Sequence, residues 1–346
     1  MADLIVTNLN PNFTGVSATA AGVVRGQAEL YDMALAGHPL PGCPDPVTVA
    51  GARALSRDPG ARPFTIWHVR RNPEMRAGIW ARDVLRLPIR LVFTSAAQRR
   101  HSAYPRWLIS RMDAVIATTA EAATYVPHVR AVVPHGVDVD RWCPATDREA
   151  AWAATGFPGR VGVACIGRIR PEKGTDRFVE TMLRLLPDRP DLTALVIGRA
   201  GRSHSAFEAG LRAKAEAAGL ADRLLFPGEI AADRMPALMR ALSGLVALPR
   251  YEGYGMTPLE AMASGVPFVA TDTGHFQAFA GRDAGLVIAN DGDVAPAAAA
   301  QVAALLAAGD LMARAARARA VASYGIDREV AGIGAVYDML WDGEAS

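Results

Sequence analysis

Cysteine is scarce in this 346-residue chain: Cys43, Cys143 and Cys165 are odd in number and irregularly spaced. They form no CxxC pair and have no histidine neighbours at metal-ligand distance, which excludes a disulfide scaffold and a structural zinc site and reads as free thiols in a reducing cytoplasm. A net excess of charge is missing too. The 37 Lys and Arg against 35 Asp and Glu leave +2, too little for a nucleic-acid protein. No apolar run is long enough for a bilayer, since the alanine-rich stretch from Ala295 to Ala308 is short and interrupted. The amino terminus opens on strand-like Leu4 to Val6 without a basic leader or cleavage site, so no secretion signal is expected. Two phosphate fingerprints are also absent. The run NLNPNFTGVSA gives Gly15 no spaced glycine partners, and nothing ends in the Gly-Lys-Ser/Thr of a P-loop, which disfavours a dehydrogenase or an ATPase.

What is present is a chain that is 51% apolar and long enough for two domains. Strand-length apolar runs alternate with helical periods: LIVTNL at 4–9, FTIWHV at 64–69, RLVFTS at 90–95, AVIATT at 114–119 and AVVP at 131–134. This alternation predicts a parallel sheet covered by helices on both faces. The polar segment after Pro134, rich in Pro and Gly, reads as an interdomain hinge. The pattern restarts with VGVACIG at 161–167, TALVIG at 193–198, LLFPG at 224–228, GLVALP at 244–249 and VPFVAT at 266–271. The expectation is an α/β chain of two Rossmann-like halves facing each other across a cleft. They divide as 1–155 and 156–327, and a last helix within 328–346 crosses back to the first. That helix, about Asp327 to Leu340, carries a stripe of Val336, Tyr337, Leu340 and Trp341 that predicts burial.

Two motifs carry chemistry. In YEGYGMTPLEAMASG, 251–265, Thr257 reads as an N-cap and Pro258 as the first helical residue, with Gly253 and Gly255 leaving the preceding amides bare. A helix N-terminus with exposed amides binds anions, and Glu252 and Glu260 beside it suit neutral hydroxyls, so a sugar phosphate is the candidate ligand. The spacing of Thr257 and Glu260 also fits a capping box, in which Glu260 only reaches back to the N-cap amide. In IGRIRPEKGTDRF, 166–178, a strand ends at Gly167 and a helix begins near Thr175. Arg168, Arg170 and Lys173 therefore lie at a strand's carboxyl end, where they can grip phosphate oxygens in place of a divalent metal. The same loop also reads as a solvated basic turn. Asp138 and Asp140 form a D-x-D in the hinge, where a turn role outweighs a metal site.

GRIRPEKG followed at this separation by E-GYGMTPL-E resembles the family 4 glycosyltransferases, retaining enzymes of the GT-B fold that need no metal. The resemblance covers essentially the whole chain. It implies that Arg168, Lys173 and Glu252 are catalytic, Arg168 and Lys173 holding the nucleotide diphosphate while Glu252 takes donor-sugar hydroxyls. It further implies that Gly167, Gly253, Tyr254, Gly255, Met256 and Thr257 cradle phosphates and sugar, that Glu260 accepts from the ribose, that Phe226, Gly228 and Glu229 flank the base, and that Gly15 approaches the donor from the other domain. No side chain stands out as a covalent nucleophile; in the family a donor phosphate oxygen takes the acceptor proton on the face of departure. The stretches FTGVSAT at 13–19, IWHVRRNPEM at 66–75 and 91–119 are similar to bacterial lipopolysaccharide core mannosyltransferases that use GDP-mannose. The reaction implied is α-mannosyl transfer to a lipid-linked glycan, with no cofactor beyond the nucleotide sugar. A UDP-glucose or UDP-N-acetylglucosamine donor, or a non-catalytic sugar-binding role, are the alternatives.

The chain departs from the family where a cleft histidine usually follows the strand LVFTS: here stand Ser95 and Ala96. His68 and His101 are candidates to replace it, with Arg70 beside them on the acceptor side, and a structural histidine is the competing reading for each. His135 reads as structural or cleft-lining. Finally, the region 64–111 holds ten arginines against Glu74 and Asp83. With Arg82 and Arg86 one helical turn apart among Ile79, Trp80, Val84 and Leu85, and with Trp107 to Ile109 nearby, it suits an anionic membrane surface, an acidic core sugar, or a solvated face with ion pairs.

Overall fold

A computed structural model describes residues 1–12 and 14–343. Phe13 of the 13–19 motif, and the last three residues assigned to the crossing segment, lie outside the described residues. The chain forms two compact units, Met1–Gly136 with the chain from Tyr324 onward, and Val137–Ser323.

In the first unit β1 (Leu4–Asn8), β2 (Met33–Gly37), β3 (Thr65–Val69), β4 (Ile89–Ser95), β5 (Ala114–Ala117) and β6 (Val129–Val132) make one sheet in the order β2-β1-β3-β4-β5-β6, with every pair parallel. Successive residues point to opposite faces, and both faces are covered. Leu4, Val6, Ile66, Val92, Ala114 and Ile116 pack against the helices Gly15–Gln27 and Ile326–Trp341, whereas Ile5, Trp67, Leu91, Phe93 and Val115 face the helices on the other side. The expected stripe of the last helix is buried: Val336, Tyr337, Leu340 and Trp341 lie in this core. Returning the chain this way also brings Glu329, 2% exposed, to His135 Nδ1 and the Gly136 amide, both at 2.7 Å. His135 thus has a structural partner inside the first unit.

The second unit repeats the plan with β7 (Val161–Ile166), β8 (Leu192–Ile197), β9 (Leu224–Gly228), β10 (Gly244–Ala247), β11 (Phe268–Thr271) and β12 (Gly285–Ile288), ordered β12-β11-β10-β7-β8-β9. The alanine-rich helix Ala295–Ala308 buries Ala298, Val302 and Leu305 in this core. No single helix among the described residues is long and apolar enough to cross a membrane.

The units divide at Gly136/Val137, not at the expected 155/156. The segment read as a hinge is built into the second unit: Trp142 and Trp152 are buried, and the Trp152 indole N–H donates to Gly159 O at 3.2 Å. Asp138 serves a turn, its Oδ1 accepting from the Arg141 amide at 3.0 Å. The last helix begins at Ile326, and the return to the first unit begins at Tyr324 where 328 was expected.

Candidate functional site

The carboxyl ends of β7 and β10 carry the two motifs of the second unit. β7 runs out through Gly167 into Arg168, Ile169 and Arg170, then a single 3-10 turn, Pro171–Lys173, then Gly174. Gly174 takes φ 69°, and a Cβ there would lie 1.8 Å from Leu248 O, so only glycine lets the helix Thr175–Leu185 start beside β10. The turn is braced by Arg250, which pairs bidentately with Asp176 at 2.8 and 2.7 Å while its amide donates to Glu172 O. Sequence reading passed over this brace, although Arg250 immediately precedes the YEGYG motif.

The helix of that motif begins two residues earlier than expected. Met256–Ala263 is helical, and the N-cap is Gly255 in the left-handed region, φ 95°, where a Cβ would meet the Phe276 ring at 2.1 Å. Thr257 is therefore inside the first turn and Pro258 is third, not first. A capping box between Thr257 and Glu260 is ruled out by this register, because its threonine must be the N-cap. The amides of Met256 and Thr257 remain at the helix start. The loop before them rests on the turn 272–275: the Glu252 amide donates to Thr273 Oγ1 at 3.3 Å, His275 N donates to Tyr254 O at 3.0 Å, and the Tyr254 ring, 5% exposed, stacks on His275. Tyr254 thus faces inward, with its carbonyl held by the turn. At Gly167, Gly228 and Gly253 a Cβ would meet nothing within 4 Å, so the backbone there is open to close approach.

The two motifs meet through one ion pair. Lys173 Nζ lies 2.6 Å from Glu252 Oε2, and Glu252 Oε1 accepts from the Gly253 amide at 3.1 Å. Arg168 is exposed on the same loop. Glu260 is half-buried on the helix, and burial pushes its carboxyl up to about 7, opposed by Arg141. At the end of β9, Glu229 pairs with Arg199 at 3.5 Å. Phe226 is engaged elsewhere: the Arg212 guanidinium covers its ring at 4.6 Å, and with Phe157 and Pro227 it lines a cavity of about 380 Å³.

The first unit gathers a different set. Gly15 opens the helix Gly15–Gln27 with nothing within 4 Å of a Cβ position. The loop before it is tied down by Arg71, which donates to Asn8 Oδ1, Thr14 Oγ1, Ser17 Oγ and Glu74 Oε1. Glu74, fully buried, also accepts from the amides of Leu9, Arg70 and Arg71. His68 is fully buried, with Nδ1 2.5 Å from the Tyr337 hydroxyl and Nε2 2.7 Å from Thr94 Oγ1. Burial foremost, then the charge of Arg70 and His135, holds its pKa well below the ordinary histidine value. It is a neutral, locked ring at the end of β3. Arg70 and Ser95 are buried at the neighbouring strand ends, while His101, half-buried with Nε2 unpartnered, has its pKa lowered by burial and by Arg99.

The basic region 64–111 splits in two. Arg82 pairs with Asp83 and Asp113 at 2.7 Å each, Arg90 with Asp113, and Arg111 with Asp83. Hydrogen bonding from Arg82 holds the Asp83 carboxyl down at about 2, with Arg111 adding to it and burial opposing. Nor do Arg82 and Arg86 share a helical face: the helix Asn72–Ile79 widens into a π-turn, Trp80–Val84, after which Arg86 takes φ 53°. Beside this network Trp80 and Trp107 stay 42% and 54% exposed, with Val84, Leu85 and Tyr104. Arg53 lies 4.2 Å over the Trp80 ring, and Arg76 lines the same groove. Arg100 and Arg106 line a second groove that shares Trp107.

A family model described as glycosyl transferases group 1 matches residues 149–320. The lipopolysaccharide core biosynthesis mannosyltransferase LpsB of Rhizobium meliloti is 42% identical to this chain over 345 residues, 98% of this chain and 97% of that protein. The lipopolysaccharide core biosynthesis mannosyltransferase LpcC of Rhizobium leguminosarum is 41% identical over 98% and 96%. Among solved structures, the C-terminal domain of a glycosyl transferase group 1 family protein from Francisella tularensis is 31% identical, with TM-score 0.52 over 55% of this chain and 100% of that one. Anabaena HepE in complex with UDP superimposes with TM-score 0.80 over 97% and 99% at 16% identity, a likeness of fold.

Proposed function

The chain belongs to the group 1 glycosyl transferases with the GT-B fold, and from that premise we propose that it transfers an α-mannosyl unit, with retention, from GDP-mannose to a lipid-linked lipopolysaccharide core acceptor. The observation that carries the donor side is the pairing of Lys173 with Glu252 beside the bare helix start at Met256. With donor bound, Lys173 exchanges the carboxylate for a phosphate oxygen, and Glu252 is released to the mannosyl hydroxyls. Arg168, Lys173 and the amides of Gly253 to Thr257 stabilise the charge that develops on the diphosphate as its bond to the anomeric carbon breaks. The new bond forms to an acceptor oxygen, whose proton passes to the departing phosphate. Glu260 accepts from the ribose hydroxyls, Gly228 and Glu229 border the base, and the first unit binds the acceptor.

The work is done in the cytoplasm at the anionic inner leaflet. The support for this docking is the exposed aromatic face of Trp80, Tyr104 and Trp107 with Arg53, Arg76, Arg100 and Arg106 around it, an arrangement that suits an interface of acyl chains and anionic headgroups. Incubating the protein with a lipid-linked core acceptor and GDP-mannose, UDP-glucose or UDP-N-acetylglucosamine in turn, and reading the acceptor mass, tests the reaction. Addition of one hexose from GDP-mannose is expected; transfer from a UDP-sugar alone, or from none, overturns it. Sedimentation with vesicles tests the docking. Binding is expected to need anionic lipid and to weaken in Trp80→Ser and Trp107→Ser; equal sedimentation with neutral vesicles contradicts it.

A further inference from the structure

Lys173 and Glu252 are joined at 2.6 Å across two different loops, and another contact must hold those loops together once the pair opens for a ligand. The turn that carries Lys173 cannot do so alone. Pro171–Lys173 is a single 3-10 turn, closed by Lys173 N to Arg170 O and Gly174 N to Pro171 O, both at 3.0 Å. A turn that short is not stable by itself. Arg250 supplies the hold from the other loop. Its amide donates to Glu172 O at 2.9 Å, directly before Lys173, and its guanidinium donates to Pro171 O and to both oxygens of Asp176, in the first turn of the helix Thr175–Leu185. One residue thus grips the turn at its start, at its middle and at the helix that follows.

Arg250 is itself anchored. Pro249 O accepts from Thr271 Oγ1 at 2.7 Å, and Arg250 O accepts from Asn290 Nδ2 at 3.2 Å. Asn290 Oδ1 is in turn held by Arg177 Nη1 at 2.6 Å, which also reaches Leu248 O. An exposed ion pair by itself contributes little, but a bidentate guanidinium–carboxylate pair with added bonds to the backbone fixes geometry. Replacing Glu252 by a phosphate on Lys173 breaks none of these contacts. A lysine side chain is long and flexible, so where its ammonium can go depends on where its backbone is held, and a turn already ordered loses less freedom on binding.

We propose that Arg250 is a positioning residue for the donor: it clamps the Lys173 turn to the Glu252 loop, so that Lys173, on leaving Glu252, stays within reach of the diphosphate. It acts through Lys173, and the assignment rests on the donor reading above.

The test is a double-mutant cycle on the full-length protein, with GDP affinity read by calorimetry in excess chelator for the wild type, Arg250→Met, Lys173→Ala and the double variant. Arg250→Met weakens GDP about fivefold or more when Lys173 is present. In the Lys173→Ala background the same substitution costs less than about twofold, because the residue it positions is gone. Arg250→Lys keeps the charge but loses the bidentate fork, and its affinity falls between those of Arg250→Met and the wild type. With GDP-mannose as donor, Arg250→Met lowers turnover about tenfold or more while the acceptor KM stays within about twofold. A residue that served only stability would lower the melting temperature and weaken GDP alike in both backgrounds. Equal losses in both backgrounds, or wild-type GDP affinity in Arg250→Met where Lys173→Ala has lost it, overturn the proposal. Unchanged GDP affinity in Lys173→Ala overturns the donor reading itself, and the assignment of Arg250 falls with it.

Discussion

The two sheets share one plan and treat charge in opposite ways at their carboxyl ends. In the second unit the charged groups are half-exposed and neutralise one another: Lys173 with Glu252, Arg250 with Asp176, Arg199 with Glu229. In the first unit they are buried, and all but Arg70 are fixed, with Arg71 and Glu74 clamping the loop of Gly15 and His68 held between Tyr337 and Thr94. Half-exposed pairs can be exchanged for a charged ligand at little cost, because solvent screens both states. Buried networks cannot, and they serve to hold shape. This contrast supports the proposal that the second unit binds and releases a diphosphate and that the first frames an acceptor.

Breaking the comparison at its strongest point gives the largest effect. Lys173→Ala or Arg168→Ala should each lower turnover about a hundredfold or more, the scale of losing one preorganised charge contact, with the fold intact by circular dichroism. In the first unit the matching substitution, Arg71→Ala, strands part of a buried carboxylate and should instead cost about 1–3 kcal/mol in denaturant unfolding.

His68 sharpens the contrast further. Removing its two bonds in His68→Phe should destabilise by about 1–3 kcal/mol, and the rate profile between pH 6 and 8 should keep its shape. Because its folded pKa is depressed below the unfolded value, His68 contributes stability at neutral pH that is lost as pH falls through the ordinary histidine range. Urea midpoints across pH for wild type and His68→Phe read this directly. A steeper acid loss in the variant contradicts it.

Glu260 lies on the exchangeable side, with its carboxyl near 7. A folded pKa raised above the unfolded one contributes stability that is present below the unfolded carboxylate pKa and lost as pH rises through about 7. A ribose hydroxyl donates better to the ionised form, so affinity for GDP-mannose, whose diphosphate ester has no proton to lose in this range, should rise several-fold from pH 6 to 8. Calorimetry on Glu260→Gln should show a flat profile. The smallest expected effect is at Arg82: its charge is spent on Asp83 and Asp113, so Arg82→Ala should leave vesicle binding unchanged while Arg106→Ala weakens it.

The sequence made most of this plan legible because strands buried on both faces are written as unbroken apolar runs. The two strands that reading missed, β2 (MALAG) and β12 (GLVI), are both sheet edges, short and only part-buried, so their runs are diluted. The second unit's motifs were readable because glycines, a proline and a loop of cations are clustered within each. The helix start was misplaced by two residues because the left-handed turn at Gly255 depends on Phe276, far along the chain. The units divide near the start of the segment read as a hinge, and the rest of it joins the second unit through two tryptophans hidden among polar and proline residues. Glu74 near Arg71 and Asp83 beside Arg82 are local, but the other partners that fix these arginines, Asn8, Thr14, Ser17 and Asp113, are brought together only by the fold.

The central claim is that the second unit's loop cations and helix amides, without a metal, hold the donor diphosphate. Calorimetric titration of GDP into the wild type and Lys173→Ala, both in excess chelator, tests it most directly. Clear binding by the wild type is expected, with affinity at least about tenfold weaker in the variant. Binding that requires added magnesium or manganese, or that is the same in both proteins, would contradict it.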